Sequence, residues 1–385
     1  MSRTGSDIRK GIEQNWHEYL SKYANLFSSN EIKGSSPPSV FVGSYGYPKV
    51  GIGPMLPPIH GDTTLLDSPE KWVGKNLEEI INYRLNLVRG IQKMGIEDTN
   101  GRFIESLHEL AMSSGSIDSE LTFLKNPAPI PSIDGQNAPF GPIGEIKTAK
   151  FSPNSSVIPI ERVYYDTDLK AEDAVMKLYN SGIEISKIQK CFSIGMFGKN
   201  RKLVPTKWSI TATDQIISNE LMSHILNFDI IDQFLVFHFD HLGNMFSVIL
   251  FPHRWLFEMQ EAWHDKDTIG FGNDYENAKG IDHSPTIAGA YFAGKLAVTE
   301  YLEKIQKQSG VMIFREIQPE YAVPVGVWQV REGIREAMKR SPQEVFSLND
   351  AVELATKRMS ISKNEWISHG NMLKLVKQTN MSDFF

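Results

Sequence analysis

The fold class follows from one stretch, Ile230-Ile-Asp-Gln-Phe-Leu-Val-Phe-His-Phe239, with the connection Asp240-His-Leu-Gly-Asn244 and the segment Met245-Phe-Ser-Val-Ile-Leu-Phe251 after it. Both outer segments are rich in β-branched and aromatic residues, which favour strands. The connection contains Gly and Asn, which favour tight turns. The pattern therefore predicts two antiparallel strands joined as a β-hairpin.

Helical patterns lie on both sides of this hairpin. Ser68 as N-cap and Pro69 as first helical residue predict a long helix from Asp67 to Met94. Further helices are predicted over residues 102–113, 169–180, 254–265, 284–307, 332–340 and 347–359, and strands over 39–42, 183–197, 311–317 and 323–330. We therefore predict an α+β fold of mixed helices and mainly antiparallel strands. Two domains are expected, with a boundary near residues 265–283, where glycines cluster.

Composition narrows the functional class. The chain has 385 residues, 22% of them charged, with a net charge of −6 and a pI near 6.0. An acidic chain is not expected to coat nucleic acid over its whole surface, although a local basic patch can still bind it. A single cysteine, Cys191, excludes an internal disulfide framework and favours a reducing, cytoplasmic location. We expect no secretory signal and no membrane span, because apolar runs are short.

The C-terminal octapeptide is Gln378-Thr-Asn-Met381-Ser-Asp-Phe384-Phe385. It matches the peptide that docks on PCNA-type sliding clamps: Gln, two free positions, an aliphatic residue or Met, two free positions and two aromatic residues. Met381 and Phe384 are three residues apart, so a 3₁₀ turn places them on one face beside Phe385. Gln378 adds an amide that both donates and accepts hydrogen bonds. The alternative is an aromatic tail without a partner, but exposed apolar clusters usually mark contacts. We therefore expect a PCNA-type clamp as a partner.

A glycine-rich segment follows the first predicted strand, from Val42 to Met55. Its glycines free the backbone for close approach to a ligand. Tyr45 and Tyr47 can stack on bases, and Lys49 can meet a phosphate. The segment fits neither a Walker loop nor a dinucleotide fingerprint. The alternative is a purely structural turn.

A local basic patch lies between residues 199 and 211. It contains Lys199, Arg201, Lys202, Lys207 and Trp208 together with hydroxyl residues. Cations neutralise phosphates, hydroxyls position them, and an indole stacks on an exposed base. The patch is therefore a candidate nucleic-acid contact, and the alternative is a solvated charged face.

His238, Asp240 and His241 lie together at the predicted hairpin, with further His and Glu residues on the predicted helix 254–265. Such a set can hold a divalent metal for phosphodiester hydrolysis. The spacing fits no named metal motif, and hairpin hydrogen bonding is the alternative that we favour. Cys191 lies in an apolar run and is interpreted as a core residue.

The chain resembles the archaeal Nre family of DNA repair proteins. The resemblance rests on Gly46-Tyr-Pro-Lys49, Pro205-Thr-Lys-Trp-Ser-Ile-Thr211 and the terminal clamp peptide. It implies clamp-dependent repair of DNA damage alongside excision-repair proteins. Many members carry a cysteine-rich N-terminus, but residues 1–38 here contain no cysteine, so we expect no zinc finger.

With this resemblance, four regions are expected: a polar lead-in over residues 1–38, an N-terminal family domain over 39–268, a C-terminal family domain over 269–370, and a flexible tail with the clamp peptide over 371–385. Three functions stay open. The first is a clamp-recruited repair factor that binds damaged or structured DNA. The second is a metal-dependent enzyme acting on DNA phosphodiesters or ends, and the third is an adaptor that bridges the clamp to other repair proteins.

Overall fold

The computed structural model describes residues 29–128, 140–265, 268–281, 283–321 and 323–373. Within them the chain forms two compact units. The N-terminal unit comprises the described residues up to Ile216 together with Val323–Gly326, and the C-terminal unit comprises the other described residues from Ile217 onward. The domain limits expected from the sequence stay a prediction.

The N-terminal unit is built on a six-stranded sheet with the order β1-β5-β6-β4-β3-β2. Its strands are β1 Glu31–Ser36, β2 Val40–Val42, β3 Lys49–Leu56, β4 Val88–Gly95, β5 Ile117–Phe123 and β6 Ile143–Phe151. Neighbouring strands are antiparallel except β4 and β6. The helices that accompany them are α1 Leu77–Leu85, α2 Arg102–Met112, α3 Ile158–Tyr165, α4 Ala171–Asn180 and α5 Ile185–Ser193, with two 3₁₀ helices, Thr64–Asp67 and Pro69–Lys71. Helix α6, Thr206–Ile225, begins in this unit and ends in the next.

The C-terminal unit contains a second six-stranded sheet, of order β10-β9-β11-β8-β7-β12. Its strands are β7 Phe234–His241, β8 Asn244–Phe251, β9 Leu256–Asp265, β10 Thr268–Asn277, β11 Gly310–Ile317 and β12 Gln343–Val345. Only β9 and β11 are parallel neighbours. Its helices are α7 Ala288–Ile305, α8 Trp328–Lys339, α9 Leu348–Thr356 and α10 Lys363–His369. A buried cluster around Ile249, Phe314 and Trp366 joins the sheet to α9 and α10.

The predicted α+β class with mainly antiparallel strands is confirmed. Strands β7 and β8 form the predicted hairpin, with Leu235 paired to Leu250 and His241 to Asn244. In the described part of the chain, no helix is both long and apolar enough to cross a bilayer.

The long helix predicted from Asp67 to Met94 is wrong. Asn76 forms a capping box with Glu79 and starts α1, which ends at Leu85. The chain then pairs as β4, where a Cβ at Gly90 would lie 2.7 Å from a methyl group of Ile146. Sheet pairing and close packing therefore override a periodicity that suits a helix.

Two further assignments are wrong in opposite directions. The strand predicted over residues 183–197 is wrong, because Ile185–Ser193 form α5, in which Ile185, Ile188 and Cys191 share the buried face at a spacing of three. Residues 254–265 were expected as a helix but form β9, which is paired on both sides. The strand expected over residues 323–330 is also not formed, because α8 begins at Trp328.

Candidate nucleic-acid interface

A tight turn joins β2 to β3 and carries the first group of predicted contact residues. The Lys49 N–H donates to the Gly46 carbonyl at 2.9 Å and closes the turn around Tyr47 and a cis Pro48. Gly46 has φ of +81°, and a Cβ there would lie 2.8 Å from the Lys49 carbonyl oxygen, so the turn requires glycine at this position. The turn leaves Tyr45 96% exposed and Tyr47 50% exposed.

The first turn of α6 carries the second group. The Val42 amide donates to the Thr206 hydroxyl at 2.9 Å, which fixes this end of the helix against β2. Ser209 is fully buried and donates to the Gln189 carbonyl. Lys207 and Trp208 therefore point outward, and the indole is 45% exposed.

These two groups meet, although about 160 residues separate them in the sequence. The rings of Tyr47 and Trp208 lie edge to face, with centroids 5.2 Å apart and an interplanar angle of 63°. Tyr47 is 50% and Trp208 is 45% exposed, so both rings remain accessible to a flat ligand. We call Tyr45, Tyr47, Lys49, Lys207 and Trp208 the aromatic–basic surface.

The lysines predicted as contacts in these two segments differ in how they are held. Among the described residues, Lys49 and Lys207 are exposed and have no carboxylate within ion-pair distance. Lys202 pairs with Glu97 at 2.9 Å, and this hydrogen bond raises the pKa of Lys202. Both partners of that pair are exposed, so an incoming phosphate can compete with Glu97 at little cost. Lys199 is also exposed.

Arg201 has a structural role that the sequence did not indicate. Its guanidinium donates to the Tyr164 carbonyl and lies 4.8 Å from the centre of the Tyr164 ring. The Tyr164 hydroxyl in turn lies 3.2 Å from Nδ1 of His108, a buried side chain. The hydroxyls of Thr206 and Ser209 are likewise used within the fold rather than offered to a phosphate. No local sequence signal points to these pairings, because their partners are distant in the chain.

The group proposed as a weak metal site, His238, Asp240 and His241, lies in the C-terminal unit. His238 is buried, its Nδ1 lies 2.9 Å from the Ser247 hydroxyl, and burial lowers its pKa. Asp240 forms an ion pair with Arg358, and the His241 ring lies against Phe239. Within the described ranges, no three His, Cys, Asp or Glu side chains come close enough to hold a metal ion together.

The clamp residues Gln378, Met381, Phe384 and Phe385 lie outside the described residues. The last described residues, Asn371–Leu373, are held by the C-terminal unit. Their backbone amides at Asn371 and Met372 donate to the buried Glu258 carboxylate at 2.6 and 3.1 Å.

Comparison with known proteins identifies the family. The model of the archaeal Nre N-terminal region matches residues 10–269, and that of the archaeal Nre C-terminal region matches residues 276–384. The chain belongs to the archaeal Nre family. The resemblance predicted from the sequence is thereby confirmed.

Relatives in this family are similar over nearly their whole length. The chain is 36% identical to DNA repair protein NreB of Archaeoglobus fulgidus, with 92% of each chain covered. It is 35% identical to DNA repair protein NreA of the same organism, covering 92% of this chain and 90% of the relative. Identity to DNA repair protein NreA of Haloferax volcanii is 28%, over 99% of this chain and 96% of the relative. No solved structure matches significantly.

Proposed function

We propose that this member of the Nre family is a DNA repair factor that contacts DNA through the aromatic–basic surface and is recruited to it by a PCNA-type clamp. Its relatives are named DNA repair proteins, which supports the role in repair. The terminal octapeptide supports the clamp as recruiting partner. Because archaeal DNA lies in the cytoplasm, this proposal places the chain there. Excision-repair proteins are the further partners that the family resemblance suggests.

The observation that carries the DNA contact is the exposed pairing of Tyr47 with Trp208. Because each ring is about half exposed, part of its apolar surface contacts water. A base that stacks there would remove this surface from water. Lys49 and Lys207 lie in the same two segments and can neutralise the phosphates on either side of a stacked base. Stacking of this kind requires an unpaired base, so single-stranded, gapped or distorted DNA is the substrate that we propose.

Removing either ring tests the proposed DNA contact. We expect Tyr47→Ala and Trp208→Ala each to weaken binding to single-stranded and gapped DNA by roughly 5- to 150-fold, because stacking contributes about 1–3 kcal/mol per base. Fluorescence anisotropy on labelled oligonucleotides measures the affinities. Phe346→Ala is the matched control, since Phe346 is a 98% exposed aromatic residue of the C-terminal unit.

The lysines give a second readout of the same surface. Lys207→Gln should reduce the slope of log affinity against log salt by about 0.7–0.9, because one phosphate contact is lost. Unchanged affinities in both aromatic variants, together with an unchanged salt slope, would refute the proposed DNA surface.

A further inference from the structure

A second site lies elsewhere in the N-terminal unit. A cleft of about 300 Å³ opens between the 3₁₀ helices, the end of α2 and the start of α5. Its wall is polar and includes three lysines, Lys71, Lys187 and Lys190. Lys71 and Ser114 on the wall are exposed, whereas Asp67 is buried. The cleft is therefore open to solvent at one side and closed at the other.

Two of the three lysines are neutralised by carboxylates. Lys190 lies 2.9 Å from a carboxylate oxygen of Asp67, and Arg84 pairs with the other oxygen. Burial alone would raise the pKa of Asp67, but Lys190 and Arg84 outweigh it and lower that pKa. Lys71 lies 3.7 Å from Glu184. Asp67 is thus more than compensated and does not repel an anion from this wall.

Lys187 is different. Its ammonium donates to the Ser113 carbonyl at 2.7 Å, and no described carboxylate lies within ion-pair distance of it. Burial lowers the pKa of Lys187 to about 8, and the nearby Lys190 adds to this effect, while Cys191 and Glu184 oppose it. An ammonium has three N–H donors, and the Ser113 carbonyl accepts from one of them. The positive charge of Lys187 is therefore not neutralised by a carboxylate, and two donors are left for a ligand.

We propose that this cleft binds a phosphate monoester, with the Lys187 ammonium donating to its oxygens. A phosphate supplies several strong acceptors for the donors that Lys187 has left. The volume lies at the lower end of small-ligand sites, so it suits a phosphate with a small attached body. This site is independent of the aromatic–basic surface and of the clamp peptide.

Two sources can supply a phosphate monoester: a free mononucleotide and the 5′-phosphate at the end of a DNA strand. Both present the same dianionic group to Lys187. They differ in the body attached to the phosphate, which is a single nucleoside in the first case and a DNA strand in the second. The experiment separates the two sources on that basis.

The experiment uses the full chain and titrates inorganic phosphate by calorimetry. We expect Lys187→Gln to weaken phosphate binding by about 10- to 100-fold, since a charge-assisted hydrogen bond to a half-buried ammonium is lost. Lys147→Gln is the matched control, because Lys147 is exposed on β6 and does not line the cleft. Equal affinities of wild type and Lys187→Gln would overturn the proposal, as would the absence of any phosphate binding.

A pH profile with sulfate separates a direct contact from a structural one, because sulfate does not titrate near neutral pH. The titratable groups around Lys187 are Lys190 and Cys191 on α5, Glu184 at its N-cap, and Asp67, Glu70 and Lys71 on the facing 3₁₀ helices. Burial raises the pKa of Cys191 to about 11, so this thiol stays neutral below pH 9. Sulfate affinity of the wild type should fall about tenfold per pH unit above pH 8 as Lys187 deprotonates. Lys187→Arg should abolish that fall, because a guanidinium keeps its charge; a fall that persists in this variant would contradict the assignment.

Two further titrations identify the source of the phosphate. Deoxyadenosine monophosphate is compared with deoxyadenosine, and a 5′-phosphorylated oligonucleotide with its 5′-hydroxyl counterpart, in both the wild type and Lys187→Gln. A preference for either phosphorylated probe that disappears in Lys187→Gln supports the proposal and identifies its source. No preference in either pair would overturn it. Because none of these readouts depends on Tyr47 or Trp208, failure here leaves the proposed DNA surface untouched.

Discussion

At the scale of single residues, His108 contacts Tyr164, which holds Arg201 of the predicted basic patch. His108 is 2% exposed, its Nε2 lies 2.9 Å from the Ile194 carbonyl, and its Nδ1 lies 3.2 Å from the Tyr164 hydroxyl. The neutral ring satisfies both contacts when Nε2–H donates to the carbonyl and Nδ1 accepts from the hydroxyl. Tyr164 then holds Arg201 in the segment that leads to Trp208. A charged imidazole would disturb this arrangement.

This burial predicts a pH-dependent stability. Desolvation lowers the pKa of His108 to about 4 from its ordinary 6.5. Below pH 6.5 the unfolded chain therefore binds a proton at His108 that the folded chain does not bind. The free energy of unfolding decreases as the pH falls from 6.5 to 4. The decrease in the free energy of unfolding over this pH range amounts to about 3 kcal/mol. Denaturant unfolding between pH 4 and pH 7 measures it.

His108→Gln is the variant to compare, because the amide can keep one hydrogen bond and does not titrate. We expect a flatter dependence of the unfolding free energy on pH in this variant. A His108→Gln profile as steep as that of the wild type would show that other groups control the acid sensitivity.

At the scale of elements, strand β9 uses buried carboxylates to fix the segments around it. Glu258 receives the amides of Asn371 and Met372, and Glu261 pairs with Arg315 of β11. Buried carboxylates that accept backbone N–H groups are strongly held. Glu258 thereby holds the chain at Asn371 and Met372, at the end of the described residues.

The anchor can be tested by Glu258→Gln. The amide offers one acceptor in place of two and turns an NH₂ group toward a backbone N–H, so the end of the chain should open more readily. Hydrogen exchange at the amides of Asn371 and Met372 should accelerate roughly 10- to 100-fold, as expected for the loss of a hydrogen bond to a charged group. Glu320→Gln, at an exposed site in the same unit, should not change these rates. Equal exchange in both variants would mean that the carboxylate does not hold this segment.

The buried charges also explain why β9 was not predicted from the sequence. Glu258, Gln260 and Glu261 interrupt its apolar residues at spacings that imitate an amphipathic helix, and all three are buried. Glu258 and Glu261 are tolerated in this strand because partners distant in sequence satisfy them: the amides of Asn371 and Met372 for Glu258, and Arg315 for Glu261. The hairpin of β7 and β8 is predictable because two apolar strands and a turn with Gly and Asn follow one another directly in the sequence. Tyr47 and Trp208 are each predicted as candidates from local composition. Their contact is not predictable in this way, because it depends on the position of α6 against β2.

At the scale of the whole molecule, the proposed DNA contact and the proposed clamp contact belong to different parts of the chain. The aromatic–basic surface belongs to the N-terminal unit, and the clamp peptide follows the C-terminal unit in sequence. A chain of net charge −6 with a local basic surface is expected to hold DNA weakly and with strong salt dependence. Tethering to a clamp on the same DNA raises the effective concentration to about the millimolar range. The two contacts should therefore act together on clamp-loaded DNA.

The last prediction separates these two contacts. Replacing Phe384 and Phe385 by Ala removes both aromatic side chains of the clamp peptide, and clamp affinity should fall about 100-fold, as for other interface hot spots. Calorimetry with the isolated clamp measures this loss. Thr379→Ala with Asn380→Ala is the matched control, because the clamp pattern leaves both positions free. Binding to clamp-free DNA should be unaltered in every tail variant, and Trp208→Ala should in turn leave clamp affinity unaltered. If the Phe variant binds the clamp as well as the wild type, the tail is not the tether and recruitment requires another surface.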